Sequence, residues 1–257
     1  MLRIDGVSRH FGGVYATRDV SLDVQSGELR GVIGPNGAGK STLFNLISGH
    51  LRPDAGGIWL GDRRIDRLPP HVRAGLGIAI VFQGARVFPG MSVRENVMVG
   101  AHARTRAGLV AATVRLPAQR REEREIREAA DTAIDRVGLA AWSERRAEDL
   151  PLGQQRRLQV ARALAARPRV LLLDEPASGL RADEREALTA LVRDLHRDGT
   201  TILLVEHDVG MVTSLADRIT VLDLGTVIAD GSPAEISVDP AVIRAYLGTE
   251  PLHAAHH

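Results

Sequence analysis

Apolar and polar positions alternate with a period near two in the opening stretch of the chain. The runs Leu2 to Val7, Asp19 to Val24 and Glu28 to Ile33 predict strands. A glycine-rich turn follows, and from Ser41 to about Leu51 the apolar spacing becomes helical. Gly57 to Leu60 and Gly77 to Phe82 predict two further strands. Between about Ser92 and Arg167 the texture is Ala, Arg and Glu with almost no β-branched clusters. There Ile126, Ala130, Ala133 and Val137 share one helical stripe, and Glu123 and Arg127 are spaced for an i,i+4 pair. The run Arg120 to Arg127 reads as a solvated helix face. Strands return at Val170 to Leu173, Thr201 to Val205 and Arg218 to Leu222. Helices separate the first two pairs, notably Glu184 to Arg197. Such alternation implies a parallel sheet covered by helices. The expectation is one α/β domain over 1–257. Its core, 1–90 with 167–257, has a mostly parallel sheet and an N-terminal antiparallel β part, and 91–166 is an inserted helical subdomain. No internal repeat is visible.

Composition narrows the function. With 44% hydrophobic and 25% charged residues, the 257-residue chain has an ordinary core-forming balance and is neither disordered nor collagen-like. It holds no cysteine, so disulfides and thiolate metal sites are excluded and a reducing compartment suits it. A net charge of +1 and 3% aromatics argue against a nucleic-acid binder, which needs a basic surface and stacking rings. No apolar run approaches the roughly 18 residues of a membrane span, and Met1 to Gly13 lacks a signal-peptide core. The protein is therefore expected to be soluble and intracellular unless another chain carries it to a membrane. His253, His256 and His257 read as a frayed terminus rather than a metal site.

One segment carries specific chemistry. Gly34-Pro35-Asn36-Gly37-Ala38-Gly39-Lys40-Ser41-Thr42 fits G-x-x-x-x-G-K-[ST], and it lies between a predicted strand and a predicted helix as that motif requires. Glycines let the backbone N–H groups wrap phosphate oxygens, and the helix N-terminus adds favourable partial charge. Lys40 is placed to reach the β- and γ-phosphates and Ser41 to hold Mg²⁺. With glycine at about 7% of average usage, a chain of this length matches by accident about once in a hundred cases, and the strand-loop-helix context lowers that further. Lys40 is also the only lysine. The exception to an all-arginine usage stands where a compact ammonium on a flexible stem is needed. The same count excludes the Asn-Lys-x-Asp motif with which GTPases read guanine.

Val170 to Leu173 runs into Asp174-Glu175-Pro176. Alone, an apolar strand ending in two acids is an ordinary strand exit. Paired with a phosphate loop, the first acid holds Mg²⁺ and the second orients or deprotonates an attacking water.

These motifs and their order resemble ABC-transporter ATP-binding subunits over nearly the whole chain, which implies a P-loop NTPase core. Val81-Phe82-Gln83 is similar to the Q-loop, whose glutamine touches Mg²⁺ and faces a membrane partner. Leu150-Pro151-Leu152-Gly153-Gln154-Gln155-Arg156-Arg157 is similar to the signature motif, and Val160 to Leu164 continues its helix. Glu206-His207-Asp208 resembles the switch-histidine segment. Phe11 stands where the family places a ring under adenine, with Tyr15 as the competing choice. The resemblance assigns nucleotide binding to Phe11, Asn36, Gly37, Ala38, Gly39, Lys40, Ser41, Thr42, Gly153 and Gln154. It assigns catalysis to Glu175, His207 and Gln83, and Mg²⁺ to Ser41, Gln83 and Asp174.

Two positions depart from the family pattern. In the usual Leu-Ser-Gly-Gly-Gln signature the serine hydroxyl and backbone amides meet a γ-phosphate held by the opposite subunit. Here Pro151 replaces the serine and Leu152 the first glycine. Losing one preorganised donor costs roughly 2.7–4 kcal/mol. Either the amides of Gly153 and Gln154 at a helix N-terminus suffice, or this composite site turns over slowly while another works. After Gly179-Leu180 the usual D-loop Asp or Asn is Arg181, which puts subunit coupling through this loop in question. The Leu-Pro-x-Gly-Gln-Gln-Arg-Arg form, Phe11-Gly12-Gly13, Glu206-His207-Asp208 and the closing Ala245-Tyr246-Leu247-Gly248 are similar to branched-chain amino acid importer ATPases.

The resemblance implies an ATP- and Mg²⁺-dependent motor subunit, peripheral at the cytoplasmic face of the membrane. Two permease subunits, a paralogous second ATP-binding subunit and, indirectly, an external substrate-binding protein are its expected partners, with no nucleic acid. Urea import and lipopolysaccharide export stay open as alternatives. A non-transport ABC ATPase acting on ribosomes or DNA fits poorly. It usually needs two ATPase halves or a long coiled coil, and neither is expected within these 257 residues.

Overall fold

The computed structural model describes residues 1–84, 87–102 and 117–247. Within them the chain divides into two compact units. One is drawn from Met1–Pro70, Leu172–Glu175 and Val192–His257, the other from His71–Leu171 and Pro176–Leu191. From the N-terminus, β1 (Leu2–Phe11), β2 (Val14–Val24), β3 (Leu29–Ile33), α1 (Lys40–Ser48), β4 (Ala55–Leu60) and β5 (Arg63–Arg64) belong to the first unit. In the second follow α2 (Pro70–Gly75), all but its first residue, then β6 (Ile78–Val81), α3 (Val93–Ala101), α4 (Pro117–Arg136) and α5 (Leu152–Ala165). The division passes through β7 (Val170–Asp174) and α6 (Ala182–Arg197). The first unit then takes β8 (Thr201–Val205), α7 (Val209–Leu215), β9 (Arg218–Asp223), β10 (Thr226–Gly231), α8 (Pro233–Val238) and α9 (Pro240–Leu247).

The first unit contains two sheets. An antiparallel one has the order β2-β1-β4-β5, with Leu2 opposite Val24 on one side and Leu60 on the other. Leu2, Ile4, Val7, Val20, Leu22 and Val24 are buried, which realises the period-two pattern. The other sheet sets β3 between β8 and β9, all parallel, with Val32 against Val205 and Ile33 against Val221; β10 closes antiparallel on β9. All residues of β3 and β8 are buried, as parallel strands covered on both faces require.

The second unit is mainly helical. The stripe Ile126, Ala130, Ala133 and Val137 is buried as its spacing predicts. Helix α3 opens on a capping box in which Ser92 accepts from the Glu95 N–H and Glu95 accepts from the Ser92 N–H. It lies so close to α5 that a Cβ on Gly100 would stand 1.9 Å from the Arg162 carbonyl oxygen. Among the described residues of α4, the i,i+4 ion pair that forms is Arg121–Glu125, at 3.2 Å, and not the expected Glu123–Arg127. Exposed charges spaced four apart have nearly equivalent partners, so spacing alone does not select one. No described helix is long and apolar enough to cross a membrane.

Element ends differ from the sequence reading for identifiable reasons. β1 continues to Phe11 and β2 starts at Val14, because the hairpin tip is held by polar bonds rather than by core burial. Asp54 accepts from Arg9 Nη1 (2.7 Å) and from the His10 N–H (2.9 Å), while Phe11 and Val14 are exposed. Helix α1 stops at Ser48 because Gly49 turns left-handed, and its N–H returns to the Asn45 carbonyl at 3.1 Å. β10 is half-exposed and lacks a buried alternation, so its pattern carried no strand signal. His253, His256, His257 and Gly248 lie outside the described residues.

Candidate nucleotide site

β3 ends at Ile33, and the next six residues form a loop that feeds directly into α1. Two of its glycines are sterically obligatory. A Cβ on Gly34 would stand 2.0 Å from the Leu222 carbonyl oxygen, and one on Gly39 would stand 2.2 Å from that of Ala16; both residues have positive φ. Gly39 is the N-cap of α1 and has no side chain to occupy the first amides of that helix. Those N–H groups and the helix dipole therefore face outward as an anion receptor. The loop is braced from outside by the turn between β9 and β10. The Gly225 N–H donates to the Ala38 carbonyl at 3.1 Å, and the Arg18 N–H donates to the Gly225 carbonyl at 2.7 Å.

Lys40 is buried and donates to the carbonyl oxygens of Gly34 (2.7 Å) and Pro35 (3.1 Å). Burial lowers its pKa, and the carboxylates of Glu175 and Asp174 oppose that shift. At the end of β7, burial pushes the Asp174 carboxyl up to about 6, with the neighbouring Glu175 adding to the rise and Lys40 and His207 opposing it. Asp174 Oδ1 is buried without a hydrogen-bond partner. A buried acceptor left open beside a second carboxylate is suited to a divalent cation.

Glu175 leaves the strand in a left-handed conformation, φ 49°, and its N–H donates to the Val205 carbonyl at 2.9 Å. Such a conformation in a non-glycine residue costs energy and persists only where the surroundings enforce it. It brings Glu175 Oε1 to 2.6 Å from Nε2 of His207. With a carboxylate as acceptor, that ring nitrogen is the donor. His207 follows β8, and the next residue, Asp208, caps α7 by accepting from the Met211 N–H at 3.0 Å. A cavity of about 280 Å³ opens between these groups. It is lined by Asn36 through Thr42 with Ala16, Glu175 and His207.

The first unit thus gathers Asn36, Gly37, Ala38, Gly39, Lys40, Ser41, Thr42, Asp174, Glu175 and His207. Phe11 and Tyr15 are both about half-exposed near the β1–β2 turn, each under an arginine: Arg9 lies 4.9 Å over Phe11 and Arg18 4.4 Å over Tyr15. Of that hairpin, Ala16 is the residue that lines the cavity among those described. Gln83, Gly153 and Gln154 belong to the second unit. Gln83 is exposed just beyond β6, and Gly153 and Gln154 open α5. In that unit Gln159 of α5 donates to the Gly84 carbonyl at 2.7 Å, which holds the chain just after Gln83.

Sequence reasoning missed the bracing Gly225 and the role of Tyr246. The phenol of Tyr246 accepts from the Gly34 N–H, and burial pushes its pKa up to about 12. A Leu224-Gly225 pair between two apolar runs was the available turn signal for the first. Tyr246 was visible only as part of the closing Ala245-Tyr246-Leu247-Gly248 segment, and nothing local pointed to Gly34 as its partner.

Comparison with known proteins agrees with this geometry. The family described as ABC transporter matches residues 17–178, and the one described as branched-chain amino acid ATP-binding cassette transporter matches residues 226–251. The chain belongs to the ABC transporter family. Within it the chain is of the branched-chain type, a nucleotide-binding ATPase subunit on a P-loop fold. It is 42% identical over 249 residues to the high-affinity branched-chain amino acid transport ATP-binding protein LivG of Salmonella typhimurium, covering 96% of this chain and 98% of that one. The corresponding protein BraF of Pseudomonas aeruginosa is 41% identical over 249 residues. Among solved structures, a nucleotide-free ATP-binding cassette from an ABC transporter superposes with a TM-score of 0.82 at 29% identity, over 96% of this chain and 98% of the other. A dimeric bacterial ABC transporter cassette gives 0.76 at 26% identity, over 91% and 99%.

Proposed function

We propose that this ATPase subunit drives import of branched-chain amino acids from the cytoplasmic face of the membrane. In this reading it works with two permease subunits, a paralogous ATP-binding subunit and, indirectly, an external substrate-binding protein. The arrangement around Lys40 carries the reading. One buried ammonium, a set of outward amides and the Glu175 carboxylate line one cavity, and the Asp174 carboxylate acts on the same ammonium.

Backbone N–H groups of Gly37 to Thr42 receive the phosphates, and Lys40 exchanges its two carbonyl acceptors for β- and γ-phosphate oxygens. The cavity's fixed positive charge is small beside the negative charge of a triphosphate, so further neutralisation is needed. Asp174, whose open Oδ1 fits a cation, would hold Mg²⁺ with Ser41 and Gln83. The ion, when bound, offsets charge on the β- and γ-oxygens. Glu175 polarises the attacking water, and His207 fixes the Glu175 carboxylate and steadies the γ-phosphate. Gln83 reports to the permease, and Gly153 and Gln154 face the nucleotide of the second subunit. Phe11 is the favoured ring for adenine, with Tyr15 the alternative.

The cargo follows the relatives, which are named for branched-chain amino acid transport. Co-purification from native membranes with identification of the bound permease tests it. An amino acid permease is the expected result; a urea permease or a lipopolysaccharide exporter would replace the cargo while leaving the ATPase reading intact.

A further inference from the structure

Both departures from the family pattern stand at helix N-termini, and one side chain serves both. Pro151 is the N-cap of α5 and supplies no side-chain acceptor. Arg181 precedes α6, in the place of a capping Asp or Asn, and supplies none either. Glu184, in the first turn of α6, has its side chain only 14% exposed. Its Oε1 accepts from the Gly153 N–H at 3.3 Å and its Oε2 from the Arg181 N–H at 3.2 Å. The Arg181 guanidinium Nε lies 3.7 Å from the same Oε2. One carboxylate thus satisfies an orphan amide at each helix start and places its charge at two positive dipole ends. The reach back to Arg181 is half of a capping box; the other half is missing because arginine has no acceptor to return. The bond to Gly153 crosses from one helix to the other. It also explains a glycine there, since a Cβ on Gly153 would stand 2.9 Å from Glu184 Oε1.

We propose that Glu184 is a positioning residue that ties the signature turn to the D-loop and occupies the Gly153 amide until a nucleotide claims it. This rests on the reading that the start of α5 faces the γ-phosphate bound by a second subunit. That phosphate and Glu184 are then anions competing for one N–H. Closure over nucleotide transfers the Gly153 amide from carboxylate to phosphate and leaves Glu184 on Arg181 alone. The serine-to-proline change in the signature is tolerated because the cap it removes has been moved to α6.

Two measurements test this. In the assembled transporter, Glu184→Gln removes the competing charge, and the KM for ATP is expected to fall about threefold, the size of one dipole-charge interaction. A structural role alone predicts the opposite, so an unchanged or raised KM in a variant that melts like wild type overturns the proposal. In the isolated full chain, Pro151→Ser restores a capping hydroxyl. Combined with Glu184→Ala, it is expected to recover at least about half of the melting temperature that Glu184→Ala alone loses. Strictly additive effects overturn the proposal. The melting cycle needs no nucleotide, so it stays decisive even where ATP binding fails, and such a failure would strike the ATPase reading instead.

Discussion

The phosphate loop and the turn that opens α5 are both glycine-containing helix starts, yet they tolerate change very differently. In the phosphate loop the backbone is pressed against neighbouring carbonyls, so that a Cβ added at Gly34 or Gly39 would overlap a carbonyl oxygen, at 2.0 and 2.2 Å. Its one cation is the sole lysine of the chain, already buried. No other residue type satisfies those positions, so the motif stands intact. At the start of α5 the working groups are backbone amides, which every residue except proline provides. The side-chain cap is replaceable, and the structure replaces it with Glu184 from another helix. Backbone amides serve in both places, but where the backbone is free of close neighbours a motif can drift at its side chains, and where it is pressed against other carbonyls it cannot.

The largest effects are expected in the rigid region. Glu175→Gln should retain ATP binding and lose turnover by about 10²–10⁴-fold in the assembled complex, the range for a general base. Steady-state and single-turnover ATPase assays separate the two. Full turnover in Glu175→Gln would break the assignment of roles.

Next comes a matched pair of glycines, each with positive φ. Gly39→Ala places a Cβ against the Ala16 carbonyl and should cost about 3 kcal/mol. Gly179→Ala, beside the D-loop, meets nothing closer than Leu152 Cδ2 at 3.6 Å and should cost about 1–2 kcal/mol from backbone strain alone. Urea denaturation of both variants checks the contrast; equal costs would erase it.

A smaller effect concerns pH. The folded chain holds Asp174 near 6, above its ordinary 3.8, so the folded state binds more protons than the unfolded one in between. This group therefore costs no stability below pH 4, and the cost grows as pH rises to about 6 and is fully present above it. Asp174→Asn should raise the nucleotide-free melting temperature at pH 7.5 by about 3 °C per kcal/mol relieved, with little change at pH 4, while Mg²⁺-dependent turnover is lost. Thermal melts across that range decide it. The smallest effect belongs to the solvated face of α4, where Arg121→Ala should shift stability by no more than about 0.5 kcal/mol.

Much of the site was legible in the chain because its residues are local to one another. The phosphate loop, its strand and its helix occupy consecutive positions, and each glycine answers a local backbone demand. Asp174 and Glu175 were legible as a strand exit, and the parallel strands as buried apolar runs. What was not legible depends on register between distant segments. The meeting of Glu175 with His207 requires β7 and β8 to end together, as the bond from the Glu175 N–H to Val205 shows, and no spacing rule reports that. Glu184 read only as the start of a helix, because its two partners are donated by the backbone and leave no mark in residue type. The β1–β2 tip and β10 escaped for a similar reason: backbone pairing holds them without a buried face.

Titration calorimetry of Mg²⁺-ATP into the full chain, wild type beside Lys40→Gln, measures what the buried ammonium contributes to nucleotide binding. Saturable binding of one nucleotide per chain is expected, weakened by at least about 100-fold (near 2.7 kcal/mol) when the ammonium is removed. Equal affinity in the two proteins, or no uptake by well-folded wild type, would contradict it.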